Sequence, residues 1–143
     1  MARAFRSIAQ IPGLVANTRY VFISVDPYRD NPERLAGYVT YFSPAFIGVT
    51  GTAKQLYQLS DQIGLHFEYV DRTTEQPLQD VLHKPASDDY SIDHYSGFLL
   101  INPAGRLAAT ILPPLGAEQT LVIYQKIRNH YEVDMLLLIV CKV

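Results

Sequence analysis

The most continuous apolar run in the first half of the chain is Tyr20–Val25, which is rich in β-branched and aromatic residues and interrupted only by Ser24. A run of this kind is typical of a strand that is buried on both faces, as in the sheet of an α/β protein. The run ends at Asp26 and Pro27, because proline lacks the amide donor that a central strand needs. Asp26 is therefore expected at the carboxyl end of a sheet strand, where ligands of open α/β folds commonly bind.

Two amphipathic helices and a short strand are predicted next. Asn31 is a suitable N-cap for the first helix, since Pro32 fits the first helical position. The apolar residues of this helix recur at i, i+3, i+4 and i+7 and share one face: Leu35, Tyr38, Val39 and Phe42. Phe46–Val49 is predicted as a short strand. The segment Thr50–Thr52 leads into the second helix, which ends at Gly64.

The second half of the chain predicts three more strands and a last helix. Leu65–Val70 alternates in the way of a half-exposed strand. Asp71–Asp89 is polar and aperiodic, and a loop of this length in a compact domain is usually functional or mobile. Tyr95–Ile101 and Arg106–Leu112 are predicted as a hairpin, because the Asn-Pro-Ala-Gly segment between them suits a type I turn. Ala117–Tyr131 is predicted as a helix.

The order of these elements indicates the fold class. Helices alternate with strands and are followed by a hairpin and a helix, which predicts an α/β protein of the thioredoxin-like type: a three-layer α/β/α sandwich around a mixed sheet. The strand that usually comes first in this fold, at the centre of the sheet, is absent from its usual place. A short helix is also predicted at Ala2–Ile11, and residues 132–143 form an atypical apolar tail. We expect a single domain over residues 1–143.

Composition narrows the class of protein further. The 143 residues are 48% hydrophobic and 18% charged, as in a globular domain. A net charge of -2 provides no basic surface for nucleic acid, so no nucleic-acid partner is expected. Cys141 is the sole cysteine, which excludes an internal disulfide and a CxxC motif.

Neither a signal peptide nor a membrane anchor is expected within these residues. Its N-terminal segment lacks a continuous apolar region and a small-residue cleavage site. Met135–Val140 is apolar but far shorter than the roughly 20 residues of a membrane-spanning helix. A chain expressed in this form is therefore expected in the cytoplasm.

Three segments of the chain resemble the SCO/SenC family of copper-handling proteins. The first is VFISVDPYRDNPERLAGYV, which starts at Val21. The second is FIGVTG at Phe46–Gly51, with the helix and the HFEYV strand that follow it. The third is Asp93-His94 followed by FLLINPAGRL, which matches the pattern D-H-S-x(4)-L-[IV]-[DN]-P-x-G except that Tyr95 stands between His94 and Ser96. Together the segments cover roughly residues 20–112 in the order and spacing of the family.

The resemblance implies a thioredoxin-like fold and a role as an assembly factor, not an enzyme, that delivers copper to the binuclear copper site of cytochrome c oxidase. It implies the copper-bearing subunit of the oxidase as the partner, and the periplasm or the intermembrane space as the compartment. It also implies a copper site made of two cysteines from a C-x-x-x-C-P loop and the histidine that matches His94. The C-x-x-x-C-P segment is absent from this sequence, so only His94 and, as a nearby acidic residue, Asp26 carry over.

The absence of the cysteine pair changes the expected chemistry. Cu(I) prefers thiolate ligands, and a single imidazole does not hold this soft ion against competitors. A dithiol–disulfide cycle also needs two cysteines. The sequence therefore predicts that this chain by itself binds copper weakly or not at all, and that its copper function is impaired.

The candidate residues also have structural interpretations. His94 is interpreted as the remnant of a metal ligand, with Asp93 beside it to orient the ring. Asp26 is explained as well by a turn in which its carboxylate accepts hydrogen bonds from backbone amides. Arg29 and Asp30 are expected to form a solvated pair or to start the helix. The other histidines share no ligand spacing and are expected at the surface: His66, His83 and His130.

Cys141 lies in the apolar tail, for which two interpretations remain open. The tail is either a frayed end or a strand, Leu136–Val140, that occupies the vacated central position between Tyr20–Val25 and Phe98–Ile101. An empty position would expose two strand edges and a large apolar surface. In the second case, Cys141 would emerge close to His94 and could be a further metal ligand.

Two other classes of function remain open. A thiol peroxidase or reductase would share the fold, but the single cysteine and the absence of a Ser-His-Asp group or a carboxylate pair argue against it. The chain could also be an interaction module without metal or redox chemistry, which completes its sheet through a homodimer at exposed strand edges.

Overall fold

A computed structural model describes residues 18–80, 82–94, 97–112, 116–131 and 135–141. The helix predicted at Ala2–Ile11 lies outside these residues. The described helices are α1 (Pro32–Phe42), α2 (Ala53–Ile63) and α3 (Ala117–Tyr131). The described strands are β1 (Thr18–Ser24), β2 (Phe46–Val49), β3 (Phe67–Asp71), β4 (Tyr90–His94), β5 (Phe98–Ile101), β6 (Leu107–Ile111) and β7 (Met135–Cys141).

The predicted ends of α1 and α2 are confirmed, because local capping chemistry determines them. The side chain of Asn31 accepts a hydrogen bond from the amide of Arg34 at 2.8 Å, as an N-cap does. At the start of α2, Thr52 and Gln55 form a reciprocal capping box. Gly64 ends α2 in the left-handed conformation, with φ of 66°, which glycine adopts without a Cβ clash.

Five strands form one mixed sheet in the order β2-β1-β7-β5-β6. β1 is parallel to both β2 and β7, whereas β5 is antiparallel to both β7 and β6. β3 and β4 pair with each other in an antiparallel hairpin, which forms a separate two-stranded sheet. The predicted mixed sheet is therefore confirmed, and a second, smaller sheet accompanies it.

β7 occupies the centre of the five-stranded sheet. Its pairing with β1 extends over seven residues, from Thr18 and Met135 to Ser24 and Cys141, and its pairing with β5 extends over four. The interpretation of the tail as a strand between β1 and β5 is therefore confirmed, and its interpretation as a frayed end is wrong. The physical reason is that β7 satisfies backbone groups of β1 and β5 that would otherwise remain unpaired inside the protein.

Two apolar layers cover the two faces of the sheet, because successive side chains of a strand point to opposite faces. Tyr20, Phe22 and Leu100 pack in the layer that side chains of α1 and α3 complete. Ile23 and Leu99 pack in the opposite layer, with side chains of α2 and of the β3–β4 hairpin. The predicted three-layer sandwich is confirmed, with the hairpin added to one outer layer.

The β3–β4 hairpin differs from the expectation at the sequence level. The sequence predicts a loop over Asp71–Asp89 and one strand over Tyr95–Ile101. In the structure, Tyr90–His94 forms a strand of its own and β5 begins at Phe98. Three of the five β4 side chains are polar, and its partner β3 lies before the long loop, so neither a long apolar run nor a short turn signals this pairing.

Gly48 in β2 marks a close approach between the sheet and α1. A Cβ atom at Gly48 would lie 2.9 Å from the Cβ atom of the buried Leu35, whereas a Cβ atom at Gly37 in α1 would meet nothing within 4 Å. We therefore expect Gly48→Ala to destabilise the protein by about 1–3 kcal/mol through overpacking. Gly37→Ala should stabilise it by about 0.5–1 kcal/mol, because alanine favours the helix more than glycine does.

Urea unfolding followed by far-UV circular dichroism measures both changes in the free energy of unfolding. Gly37→Ala is the matched control, because it adds the same methyl group to the element that packs against β2. Equal effects of the two substitutions would contradict the close packing of α1 on β2.

Candidate functional site

The carboxyl end of β1 forms a tight turn around Asp26. The backbone carbonyl of Asp26 accepts hydrogen bonds from the amides of Arg29, at 3.3 Å, and Asp30, at 2.9 Å. The two aspartates of this turn are buried, with 0% of Asp26 and 4% of Asp30 exposed. Because a buried carboxylate is costly without partners, neighbouring side chains have to supply them.

The Asp26 carboxylate holds two side chains from different parts of the chain. Its Oδ1 atom accepts a hydrogen bond from the Tyr90 hydroxyl at 2.8 Å, and its Oδ2 atom accepts one from Arg29 Nε at 2.5 Å. The Arg29 guanidinium lies 3.7 Å from the centroid of the Tyr90 ring, and its Nη1 atom donates to the Tyr90 carbonyl at 3.2 Å. These three residues form a clamp, the Asp26 clamp, which joins the end of β1 to the start of β4.

Two buried tyrosine hydroxyls act as hydrogen-bond donors at this end of the sheet. Burial, and after it the hydrogen bond to Asp26, raises the pKa of Tyr90 above its usual value of 10.0. Burial likewise raises the pKa of Tyr69, whose ring centroid lies 5.4 Å from that of Tyr90. The Tyr69 hydroxyl donates to the carbonyl of Val25 at 3.0 Å. Both hydroxyls therefore remain protonated, and remain donors, at neutral pH.

The second carboxylate, Asp30, is held by Ser24. The Ser24 hydroxyl donates to Asp30 Oδ2 and accepts a hydrogen bond from the amide of Asp26 at 3.1 Å. Arg34 Nε lies 3.5 Å from Asp30 Oδ1. The expected solvated pair of Arg29 and Asp30 is therefore wrong, because Asp30 is buried against β1 and Arg29 pairs with Asp26.

The position of Asp26 at the end of a sheet strand agrees with the prediction, and its backbone carbonyl accepts amide hydrogen bonds in a turn. Its carboxylate, for which backbone amide donors were one interpretation, accepts from two side chains instead. A metal ion at Asp26 would have to compete with Arg29 or Tyr90 for one of the two oxygens. Asp26 as a metal ligand stays a prediction.

β4 carries His94 at its last position, where it pairs with Phe67 of β3. Strand alternation places Tyr90, Ile92 and His94 on the same side of β4, and Tyr90 and Ile92 are buried in the core. His94 is half-buried, and Asp93, on the other side of the strand, is exposed. This arrangement does not favour the expected orientation of the His94 ring by Asp93, because neighbouring residues of a strand point to opposite faces.

The other histidines lie at the surface, which confirms the expectation for His66, His83 and His130. His83 Nδ1 lies 2.9 Å from an oxygen of Asp80, in a pair that is itself exposed. In the part of the chain that the structure describes, no group of three or more His, Cys, Asp or Glu residues could hold a metal ion.

Cys141 reaches the same end of the sheet as the Asp26 clamp. Its backbone pairs with Ser24, two residues before Asp26. The structure describes the backbone of β7 and not its side chains. The predicted central strand is therefore confirmed, whereas Cys141 as a metal ligand close to His94 stays a prediction.

A cavity of about 350 Å³ opens beside the clamp and is lined mainly by residues of the long loop before β4. Two pairs of titratable side chains lie in this loop. His83 pairs with Asp80, and Lys84 Nζ lies 3.0 Å from an oxygen of Asp88. The cavity lining also includes the carboxylates of Asp71 and Asp89.

Arg29 and Tyr90 belong to the site although the sequence does not identify them as partners of Asp26. The spacing of Asp26 and Arg29 in one turn is a weak local signal for such a pair. Tyr90 follows Asp26 by 64 residues, so no local pattern connects the two. The burial of Asp26 requires a partner, but it does not specify which one.

The layers, the strand order and the site together define a thioredoxin-like α/β/α protein. Solved structures confirm the fold. Arabidopsis thaliana ScoI with copper bound superposes with a TM-score of 0.69 at 22% identity, over 91% of this chain and 71% of that chain. Yeast Sco1 with copper bound superposes with a TM-score of 0.59 at 26% identity, over 80% of this chain and 55% of that chain.

The chain belongs to the SCO1/SenC family, which it matches over residues 1–132. The human mitochondrial protein SCO2 homolog is 31% identical over 130 residues, which are 91% of this chain and 43% of that protein. The chain spans about half the length of the curated relatives it matches. The resemblance in residues 20–112 is therefore confirmed, and the family match extends beyond them on both sides.

Proposed function

We propose that the protein is a copper-binding assembly factor, without enzymatic activity, for the binuclear copper site of cytochrome c oxidase. The observation that carries the proposal is membership of the SCO1/SenC family, with the family-matched histidine, His94, on the core side of β4. The Arabidopsis and yeast relatives hold copper in their solved structures. In this proposal copper is a cargo, and the copper-bearing subunit of the oxidase is its recipient.

The described residues do not by themselves fit a tight copper site. His94 offers one imidazole, and both oxygens of the Asp26 carboxylate already accept hydrogen bonds. No group of three potential ligands converges within the ranges that the structure covers. Since Cu(I) prefers several soft ligands, the copper function proposed for this chain is an impaired one, with His94 as the ligand that remains.

An anaerobic competition assay against a Cu(I) chelator tests this proposal. We expect the purified chain to lose Cu(I) to the chelator, because one imidazole is a weak site for a soft ion. In the absence of the chelator, Cu(I) should still shift the NMR signals of the His94 ring. One equivalent of tightly held Cu(I) would contradict the impaired site.

His94→Ala and His83→Ala form a matched pair for the same measurement. His94→Ala should abolish the copper-dependent shifts of the backbone amide signals in β3 and β4, which remain observable without the imidazole ring. His83→Ala should leave them unchanged, because His83 is exposed and pairs with Asp80 in the long loop. Residual binding that persists in His94→Ala would overturn His94 as the remaining ligand.

The proposed compartment is the periplasm or the intermembrane space, by analogy with relatives named as mitochondrial proteins. Among the helices that the structure describes, none has the length and apolar character to cross a membrane. A homodimer through strand edges would use the outer strands β2 and β6, since β7 already lies in the central position.

A further inference from the structure

The β3–β4 hairpin packs on the main sheet without sharing a strand ladder with it. β3 and β4 form a sheet of their own, separate from the five-stranded sheet. Their side chains join the apolar layer on one face of the main sheet. Apolar packing is not directional, whereas hydrogen bonds and charged pairs have a preferred geometry. The position of the hairpin therefore depends on its directed contacts with the segment that follows β1.

Three directed contacts converge on the carboxyl end of β1. Tyr69 of β3 donates to the carbonyl of Val25 at 3.0 Å. Tyr90 of β4 donates to the carboxylate of Asp26 at 2.8 Å, and Arg29 donates back to the carbonyl of Tyr90 at 3.2 Å. Both strands of the hairpin are thus attached to one short segment that follows β1.

Within the Asp26 clamp, the other two residues hold Tyr90 at three points. Asp26 binds its hydroxyl, Arg29 covers its ring, and the same guanidinium binds its backbone carbonyl. Asp26 is fully buried, so release of Tyr90 or Arg29 would leave a carboxylate oxygen without a partner inside the protein. The clamp therefore opposes both sliding and rotation of the first residue of β4.

β4 carries this constraint from Tyr90 to His94. The two residues lie on the same side of the strand, four residues apart, which corresponds to about 13 Å at the rise of an extended strand. β4 pairs with β3 at five successive positions, the last of which joins Phe67 and His94. A displacement of Tyr90 along the strand therefore displaces His94 as well.

We propose that the Asp26 clamp is a positioning device for His94. Arg29 and Tyr90 contact no ligand in this proposal. They fix β4 on the end of β1, and β4 presents His94 at a defined place beside the sheet. The inference rests on the proposed function, because that function makes His94 the remaining copper ligand and its position therefore important.

NMR spectroscopy of the metal-free chain, labelled with ¹⁵N and ¹³C, tests the proposal in two variants. Tyr90→Phe removes the hydroxyl and keeps the ring under Arg29. Arg29→Lys keeps the charge and removes the planar stack with its directed hydrogen bonds. We expect amide exchange in β3 and β4 to accelerate about tenfold or more, since a hydrogen bond to a buried charge is lost. The ring and amide signals of His94 should shift or broaden, while exchange in β5 and β6 stays unchanged.

Tyr57→Phe is the matched control. The Tyr57 hydroxyl is also buried, in the same layer, but it has no hydrogen-bond partner among the residues that the structure describes. The Tyr57 ring stacks on Phe67 of the hairpin. This variant should leave both the hairpin exchange rates and the His94 signals as they are in the unmodified chain. The proposal is overturned if Tyr90→Phe and Arg29→Lys leave the His94 signals unchanged, or if exchange accelerates equally in all strands.

The two proposals can fail separately. If the clamp variants move the His94 signals but copper does not bind through His94, the positioning role stands and the proposed copper function falls. If copper binds through His94 and the clamp variants leave its signals in place, the copper function stands and the positioning role falls.

Discussion

A chain that ends at residue 134 is expected to lose its cooperative thermal unfolding transition and to self-associate. β7 is the central strand, paired with β1 over seven residues and with β5 over four. Its removal leaves two facing strand edges in the middle of the sheet, and each buried backbone group without a partner costs about 1–3 kcal/mol. The summed cost of several such groups exceeds the free energy of unfolding of an ordinary domain, which is roughly 5–15 kcal/mol.

Circular dichroism, recorded during heating, measures the loss of the cooperative transition. Sedimentation velocity measures the self-association. The matched control is a chain that ends at residue 141, which keeps all of β7 and should unfold cooperatively. We expect the shorter chain to sediment as large species, because unpaired edges with apolar residues bind one another. A monomeric chain of residues 1–134 with a cooperative transition would refute the central role of β7.

Asp26→Ala is expected to lower the free energy of unfolding by about 3 kcal/mol. Removal of one partner of a buried ion pair leaves the other without compensation, which costs roughly 3–5 kcal/mol. The lower end of that range applies because 24% of the Arg29 side chain is exposed, so water partly compensates its charge. The Tyr90 hydroxyl also loses its acceptor, although it is buried.

Urea unfolding at neutral pH measures this loss, and Asp88→Ala is its control. Asp88 pairs with Lys84 at 3.0 Å, but both side chains are largely exposed, so its removal should change the stability by less than about 1 kcal/mol. Asp26→Asn should fall between the two, because the amide oxygen can still accept one hydrogen bond. Similar stabilities of Asp26→Ala and Asp88→Ala would show that the clamp does not stabilise the fold.

The parts of the fold that depend on local chemistry were predictable from the sequence. Asn31 and Gly64 define helix ends through their own hydrogen bonds and backbone conformation, so α1 and α2 are found where the sequence predicts them. β2 is found at the predicted Phe46–Val49. The central place of β7 was also predictable, because an empty position between two apolar strands would be costly and the tail was the remaining apolar segment.

Apart from the central place of β7, the parts that depend on contacts between distant residues were not predictable. β4 combines polar and apolar residues and pairs across a long loop, so no periodicity identifies it. The sequence indicates that Asp26 ends a strand, but the choice of Tyr90 as its partner follows from how the hairpin packs on the sheet. The position of His94 relative to the clamp is a consequence of the same packing.

The central position of β7 has a consequence for the synthesis of the protein. Met135 pairs with Thr18, which precedes it by 117 residues. At a synthesis rate of about 5–20 residues per second, β1 leaves the ribosome roughly 6–23 s before its central neighbour exists. During this time, β1 is a nascent apolar strand with one edge open. The sheet is therefore completed only after β7 has been synthesised, and until then the open edge of β1 is exposed to association with other chains.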